Sequence, residues 1–308
     1  MKVLLTTLNS KYVHTNIALK YLYETVKNIE NVETIVKEFT INEPVDKIFR
    51  TIALYKMEVV AFSVYIWNIE QTLIICKNLK QLFPNIKIIL GGPEVTYCSE
   101  ELLKKHEFID FIIIGEGEET FPQLIKGQIN EHVSYRKDNE IIVGSIAIVK
   151  DTNNIPCIAQ SIVDEYDGKI VYIETVRGCP YNCSYCLSST IKGIRPFDMQ
   201  RVKNELLQLM KKEVRLVKFV DRTFNYDKKR ALEIWKFILD NNISSEFHFE
   251  ISAHLIDDEI LEFLQKVPKN TFRLEIGVQS TNEQTIEAIN RKTDFKVLSD
   301  VTRKISIF

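Results

Sequence analysis

Cysteines at three positions carry the strongest chemical signal in this sequence: Cys179, Cys183 and Cys186. They follow the apolar segment 169–176, and their Cys-x3-Cys-x2-Cys spacing places three thiols on one short loop. Thiolates are the usual protein ligands of iron–sulfur clusters. Three thiolates can hold three corners of a cluster and leave the fourth iron open to a substrate. The spacing therefore predicts a cluster that takes part in chemistry.

Two other interpretations of the cysteine loop stay open. A zinc site could use the three thiols with His248 or His254 as a fourth ligand, although structural zinc sites usually show paired Cys-x2-Cys knuckles. The three residues could also be unrelated buried thiols. The other cysteines, Cys76, Cys98 and Cys157, are scattered, and we expect them to be ordinary thiols.

The first 125 or so residues alternate short apolar strands with amphipathic helices, which predicts a doubly wound parallel sheet. Ligands of such sheets bind outside the carboxyl ends of the strands. The polar and glycine residues expected at that edge are Ser63, Gly91, Gly92, Pro93, Gly115, Glu116 and Gly117. Glycine lets backbone approach a ligand closely. The alternative is that these residues only form tight turns.

The rest of the chain predicts a second domain of strands and helices. Residues 133–137 and 140–149 read as a hairpin around Asp138-Asn139, and residues 151–169 read as a linker. Four strand–helix units then follow, which is half of an eightfold barrel. The predicted domains are 1–130, a hairpin and linker over 131–169, and a partial barrel over 170–308.

Composition narrows the functional class. The 308 residues are 45% hydrophobic with a formal charge of −2, so a broad nucleic-acid-binding surface is not expected. No apolar stretch reaches the roughly 18 residues of a membrane helix, and the N-terminus lacks the features of a signal peptide. We therefore expect a cytoplasmic protein without membrane or nucleic-acid partners.

The cysteine loop resembles the signature of the radical S-adenosylmethionine (SAM) superfamily, Cys-x3-Cys-x-aromatic-Cys, with Tyr185 as the aromatic residue. The resemblance implies a [4Fe–4S] cluster whose open iron is chelated by SAM. It further implies that Tyr185, Asp221, Glu250, Gln279 and Arg291 contact SAM: Asp221 the methionyl amine and Glu250 the ribose, with Gln279 and Arg291 as a family pair. The competing structural interpretations are a turn cap for Asp221, a surface strand acid for Glu250, an ordinary strand-end residue for Gln279 and a helix-surface cation for Arg291.

Beside such a barrel, the N-terminal domain resembles the cobalamin-binding domain of cobalamin-dependent radical enzymes. The segments 59–65, 89–94 and 114–119 are similar to that family's strand ends, which by resemblance wrap the cobalamin. The Asp-x-His-x-x-Gly motif of many cobalamin carriers is absent. His14 lies near the place of its histidine, but Tyr12 stands where the aspartate would be. His14 is either a cobalt ligand or a helix-start or surface histidine.

The family resemblance implies an enzyme that cleaves SAM reductively to a 5′-deoxyadenosyl radical and most often transfers a methyl group from methylcobalamin to an unactivated carbon. A flavodoxin or ferredoxin is the expected reductant, and the substrate is a small molecule or peptide of unknown identity. The alternatives are rearrangement or oxidation without methyl transfer, or a truncated cofactor-binding module without catalysis. Methylthio transfer is less favoured, because only Cys76 and Cys98 lie in the N-terminal domain.

Overall fold

Two main sheets, of seven and four strands, organise the part of the chain that the structure describes. The computed structural model describes residues 1–138, 140–291 and 293–306. These divide into a unit Met1–Ile158 and a unit from Ala159 onward. Asn139, part of the predicted hairpin turn, lies outside the described residues. None of the described helices combines the length and apolar character that a membrane crossing requires.

In the first unit the elements are β1 (Lys2–Asn9), α1 (Ile17–Val26), β2 (Glu33–Thr40), α2 (Val45–Leu54), β3 (Val59–Ser63), α3 (Ile69–Leu82), β4 (Lys87–Gly91), α4 (Pro93–Thr96), α5 (Ser99–Lys105), β5 (Phe111–Ile113), α6 (Thr120–Ile125), β6 (Val133–Lys137) and β7 (Glu140–Ile142). Among described residues the sheet order is β2-β1-β3-β4-β5-β6-β7. Strands β1 to β5 run parallel to one another. Strand β6 pairs antiparallel with β5, and β7 pairs antiparallel with β6.

Alternating side chains of β1 explain why helices cover both faces of this sheet. Leu4 and Leu8 are buried in one layer, with helices α2, α3 and α5. Val3 and Leu5 are buried in the other, with helices α1 and α6. Because successive strand residues point to opposite faces, an apolar strand needs cover on both sides. The predicted doubly wound sheet is confirmed.

In the second unit the elements are α7 (Ala159–Asp164), β8 (Val171–Ile173), β9 (Val176–Arg177), β10 (Arg195–Pro196), α8 (Met199–Lys211), β11 (Leu216–Phe219), α9 (Lys228–Asn241), β12 (Glu246–Ile251), α10 (Asp258–Leu264), β13 (Phe272–Ile276), α11 (Glu283–Ala288) and α12 (Phe295–Ser306). Parallel strands in the order β13-β12-β11-β8 form its main sheet in the described residues.

Aromatic side chains fill the helix-covered side of this second sheet. Trp235 of α9 is fully buried and packs edge-on against Phe249 of β12, with ring centroids 5.9 Å apart. Phe219 and Phe249 lie 4.5 Å apart between adjacent strands. Lys218, His248 and Glu250 alternate with the buried residues of β11 and β12 and so lie on the opposite face. One face of the sheet thus contributes to the hydrophobic core, whereas the other carries these polar side chains.

Three local expectations differ from the structure. The predicted strand 140–149 ends at Ile142, and further along only Ala147 forms an isolated bridge, to Gly115. The apolar segment 169–176, which reads as one strand, is split into β8 and β9, because β9 leaves the main sheet to pair with β10. Helix α7 forms inside the predicted linker. The hairpin strand β6 pairs with β5 and so extends the first sheet.

Candidate functional site

The two ends of the cysteine loop are joined by two short antiparallel strands. Strand β9 leads into it and β10 returns from it, with Arg177 opposite Arg195. Gly178 adopts φ +93°, and a Cβ there would lie 2.0 Å from the carbonyl oxygen of Gly193. Only glycine fits this crossing of two backbones. The close approach of these two backbone segments therefore explains the glycine directly before Cys179.

All three thiols of the loop line one cavity of about 230 Å³ in the second unit. Cys183 is buried, Cys179 and Cys186 are partly exposed, and each is a free thiol. The Cys179 Sγ lies 3.4 Å from the Thr223 Oγ1. Among the described residues, no three His, Cys, Asp or Glu side chains already surround a single metal-binding point. The thiols share a cavity of the right donor chemistry for an iron–sulfur cluster, without being gathered at one point.

Four of the five predicted SAM-contacting residues line this same cavity: Tyr185, Glu250, Gln279 and Arg291. They come from the cysteine loop, the carboxyl-terminal half of β12, the segment after β13 and the segment after α11. Parallel strands bring their carboxyl ends to one edge of the sheet, which is where barrel active sites form. The fold therefore assembles residues that are more than 100 positions apart in sequence.

Glu250 belongs to a charged cluster on the polar face of the sheet. Lys218 Nζ lies 3.4 Å from Glu250 Oε1 and 3.1 Å from Glu275 Oε2. The His248 Nε2 lies 3.0 Å from the same Glu275 oxygen. Partial burial and the Lys218 charge lower the pKa of His248, although the neighbouring Glu275 acts to raise it. Partial burial acts to raise the pKa of Glu275, but the Lys218 hydrogen bond and charge outweigh it and hold that pKa below the ordinary value.

Gln279 and Arg291 meet at Gly277. A Cβ on Gly277 would lie 2.7 Å from the Gln279 Nε2 and 3.3 Å from the Arg291 Nη2. The Ser280 N–H donates to the Val278 carbonyl at 2.9 Å, with Gln279 between them at φ +66°. This three-residue turn is rare and strained for a residue with a side chain. Strain of this kind is concentrated at functional sites.

Asp221, the fifth predicted SAM contact, does not line the cavity. Its buried carboxylate accepts hydrogen bonds from the Thr175 N–H at 2.7 Å, the Val176 N–H at 3.3 Å and the Thr175 hydroxyl. Burial raises the pKa of Asp221 to about 6, against the lowering effect of these donors and of Arg230. In this structure Asp221 fastens the backbone after β8, which agrees with the turn-cap interpretation.

Several cavity residues escaped the sequence analysis. Tyr181 Oη lies 3.0 Å from Ser252 Oγ, which links the cysteine loop to the end of β12. The Ser252 backbone is in turn held by Asn225, whose side chain accepts from its N–H at 2.8 Å and donates to its carbonyl at 2.9 Å. Their positions in the sequence were the available signal, because Arg222 and Thr223 lie three and four residues beyond the end of β11 and Ser252 directly follows β12.

The two histidines considered for zinc are placed differently. His248 lies in the charged cluster and is absent from the cavity lining. His254 does line the cavity, and its Nε2 accepts a hydrogen bond from the Asp294 N–H at 3.3 Å. That contact fixes the imidazole to the start of α12.

In the first unit, four of the seven predicted cobalamin residues lie at the carboxyl ends of β3 and β4. Asn68 fastens this edge, because its Nδ2 lies 3.0 Å from the Leu8 carbonyl and 3.3 Å from that of Ser63. Ser63 is buried, Gly91 and Gly92 are half-buried, and Pro93 is exposed. A Cβ on Gly92, which adopts φ +111°, would lie 2.5 Å from the Val64 carbonyl oxygen. Gly92 is therefore needed for the contact between the two loops.

Gly115 and Glu116 pack against residues 147–149 of the same unit, whereas Gly117 lies against Leu22 of α1. A Cβ on Gly115 would lie 2.5 Å from the Ala147 carbonyl oxygen. The Glu116 carboxylate accepts from the Val149 N–H at 2.7 Å. The structure thus gives Gly115 and Glu116 internal partners, and their contact with cobalamin stays a prediction.

His14 is half-buried in the loop between β1 and α1. Its carbonyl accepts from the Asn9 Nδ2 at 3.0 Å. Nearby, Asn16 caps α1 through its side chain, which accepts from the Leu19 N–H at 3.1 Å. The loop is thus ordered by asparagine contacts, and His14 as a cobalt ligand is neither supported nor opposed.

Comparison with protein-family models finds one domain in each of the two units. Residues 3–125 match the B12 binding domain, and residues 173–306 match the radical SAM superfamily. These two domains imply cobalamin, SAM and a [4Fe–4S] cluster, which confirms the predicted cofactors. The roles of individual residues stay predictions.

Curated relatives and solved structures agree with these matches. The chain is 26% identical to the cobalamin-dependent radical SAM methyltransferase TokK of Streptomyces tokunonensis, over 76% of this chain and 38% of TokK. It is 29% identical to the anaerobic magnesium-protoporphyrin IX monomethyl ester cyclase of a Synechocystis species, over 69% of this chain and 46% of the cyclase. The chain thus spans less than half of the length of these relatives.

The structure of OxsB, a cobalamin-dependent SAM radical enzyme, matches 99% of this chain and 47% of that chain with a TM-score of 0.82 and 16% identity. The methyltransferase TsrM from Kitasatospora setae matches 98% of this chain and 65% of its own, with a TM-score of 0.74 and 16% identity. These matches confirm the predicted fold, a doubly wound sheet followed by a partial barrel. Since the two family models together account for most of the chain, it consists largely of a B12 binding domain followed by a domain of the radical SAM superfamily.

Proposed function

We propose that this chain provides the cofactor-binding part of a cobalamin-dependent radical SAM enzyme whose reaction is methyl transfer to an unactivated carbon. When bound, the cofactors supply reductive cleavage of SAM to a 5′-deoxyadenosyl radical and a methyl group carried on cobalamin. The observation that carries the proposal is the shared cavity of Cys179, Cys183 and Cys186 with Glu250. Thiol ligands and a carboxylate thus face one space at the carboxyl edge of the sheet.

The chain's own residues would bind and orient the cofactors. The three thiolates would hold the cluster. Glu250, kept in place by Lys218 at 3.4 Å, would accept hydrogen bonds from the ribose hydroxyls of SAM. Gln279 would contact SAM from the strained turn after β13. The Tyr181–Ser252 contact would hold the cysteine loop against the sheet at 3.0 Å.

The cobalamin would lie at the carboxyl edge of the first sheet. Exposed apolar side chains occur there on two neighbouring loops: Tyr12 and Val13 after β1, and Ile66 and Trp67 after β3. Trp67 is held in place, because its ring stacks on Tyr65 at 4.5 Å and its Nε1 donates to the Leu8 carbonyl at 3.2 Å. Clustered exposed apolar surface of this kind marks a binding site. We propose that these side chains contact the corrin ring.

A second reaction is favoured by one observation. Relatives include a carbapenam methyltransferase from Streptantibioticus cattleyicolor at 26% identity and the Synechocystis cyclase at 29% identity. The cyclase is not a methyltransferase by name. Oxidative ring formation without methyl transfer is therefore the alternative, and product analysis separates the two, since only methyl transfer consumes a SAM methyl group.

Anaerobic reconstitution of the chain with iron, sulfide and hydroxocobalamin tests the proposal. We expect a [4Fe–4S] absorption and a reduced-state electron paramagnetic resonance signal that SAM perturbs, together with one retained corrinoid per chain. Cys183→Ala should lose the cluster, whereas Cys157→Ala, at an exposed thiol of the other unit, should keep it. A Cys183→Ala protein with an unchanged cluster would refute the assignment. A SAM-sensitive cluster without corrinoid would remove methyl transfer and leave radical chemistry.

Reduction of the cluster requires an electron donor, and we propose a flavodoxin or ferredoxin in a cytoplasmic setting. No disulfide joins any of the six cysteines, all of which the structure describes, and this supports a reducing compartment. The substrate is proposed only as a small molecule or peptide, and no nucleic-acid or membrane partner is proposed.

A further inference from the structure

The guanidinium of Arg291 connects three different segments of the second unit. Its Nη1 donates to the Tyr185 hydroxyl at 3.0 Å, its Nη2 to the Gly277 carbonyl at 2.7 Å, and its Nε to the Thr293 Oγ1 at 3.1 Å. Every nitrogen of the group thus has a protein acceptor. Since Tyr185 lies next to Cys186, this contact joins the cysteine loop to the end of β13.

Two more hydrogen bonds fasten the same loop to the segment that precedes Arg291. The Ser184 N–H donates to the Ile289 carbonyl at 3.0 Å. The Asn290 Nδ2 donates to the Asn182 carbonyl at 2.8 Å. Both loop residues flank Cys183. Segment 289–291 therefore holds the stretch of loop that carries the second and third cysteines.

This segment is itself held in shape by the end of α11. Asn290 adopts φ +52°, the Arg291 N–H donates to the Ile286 carbonyl at 3.1 Å, and the Asn290 N–H donates to that of Glu287 at 2.9 Å. These are the paired bonds of a Schellman helix end, for which asparagine is one of the accepted residues in the left-handed position. The segment is thus a preformed support.

We propose that Arg291 is a positioning residue that holds the cysteine loop against the end of β13, through Tyr185, and that its main effect is on the loop and not on SAM affinity. The absence of a side chain at Gly277 is part of this arrangement, because a Cβ there would lie only 3.3 Å from the Arg291 Nη2. The functional consequence rests on the proposed cluster, whereas the fastening itself is a property of the chain without cofactors.

Amide hydrogen exchange of the full chain without cofactors tests the fastening directly. Tyr185→Phe removes the hydroxyl acceptor and keeps the ring, and Arg291→Gln removes the guanidinium. We expect each to raise the exchange rate of the Ser184 amide about threefold to tenfold, the size of one lost hydrogen bond. In the double variant the Tyr185 substitution should add little, because both remove the same contact. Arg303→Gln, at an exposed arginine of α12, is the matched control and should leave the rate unchanged.

Two further measurements use the cluster-loaded protein. Tyr185→Phe and Arg291→Gln should both speed iron loss to a chelator about threefold or more, while the SAM dissociation constant changes less than threefold. An unchanged exchange rate of the Ser184 amide in the variants would refute the proposed contact between Arg291 and the cysteine loop. Fully additive effects of Tyr185→Phe and Arg291→Gln on that rate would refute it as well. A tenfold loss of SAM affinity in Arg291→Gln with normal loop exchange would assign Arg291 to SAM instead. Failure of the wild-type chain to assemble a cluster would overturn the proposed function, and the exchange data would still decide the role of Arg291.

Discussion

Asp221 provides a test of how burial controls the stability of the second unit. Burial raises the pKa of this carboxyl from 3.8 to about 6. Between these two values the folded state keeps a proton that the unfolded chain has lost. The contribution of Asp221 to the free energy of unfolding therefore falls as pH rises from about 4 to about 6, and it is constant above that. Two pKa units correspond to about 3 kcal/mol.

Asp221→Asn removes this titration while keeping a side chain of the same size. We expect the free energy of unfolding of the wild type, minus that of the variant, to fall by about 3 kcal/mol between pH 4 and pH 7. Contributions of other groups cancel in this difference. Urea unfolding followed by Trp235 fluorescence reports on the second unit, because Trp235 is fully buried there, and a Trp67→Phe background removes the only other tryptophan of the sequence.

The exposed Asp240 of α9 supplies the control. Asp240→Asn should shift stability by less than about 0.5 kcal/mol at every pH. A difference between wild type and Asp221→Asn that stays flat, or that grows with pH, would show that the reasoning from burial is wrong. The same variant bears on function: a SAM dissociation constant that rises tenfold without a change in stability would return Asp221 to the role of a SAM ligand.

Three further outcomes follow from the structure. Gly92→Ala should lower the melting temperature of the first unit much more than Gly127→Ala, in a thermal scan of both, because both residues have positive φ but only Gly92 has a backbone oxygen at 2.5 Å from the added Cβ. Arg136→Gln should lower the free energy of unfolding, measured in urea, by about 1–3 kcal/mol, because the Arg136 guanidinium donates to three carbonyls at and beyond the end of α5. A decrease of less than about 0.5 kcal/mol would contradict that role. Glu250→Gln should weaken SAM binding about tenfold by equilibrium dialysis, the size of one charged hydrogen bond, whereas Glu246→Gln on the same strand should not; equal effects would refute the ribose assignment.

The sequence by itself determined the chemistry and the order of the elements. The spacing of Cys179, Cys183 and Cys186 requires no tertiary information, because thiols that close in sequence must share a loop. The alternation of short apolar strands with amphipathic helices over the first 125 or so residues likewise predicted a sheet covered on both faces, since the periodicity of each element is a local property. Residue type alone likewise accounts for the start of α10, because aspartate is a preferred N-cap and the Asp257 side chain accepts from the Ile260 N–H.

Only the tertiary structure decided which of the candidate residues face the cavity. Asp221 and Glu250 look alike in sequence, each a carboxylate near the end of an apolar strand, yet one is turned into the protein by Thr175 and the other lies in the cavity beside Lys218. The β9–β10 pairing and the contacts of Arg291 with Tyr185 and Gly277 were equally hidden. These features depend on groups far apart in sequence, and no local pattern records which distant partner satisfies a buried donor or acceptor.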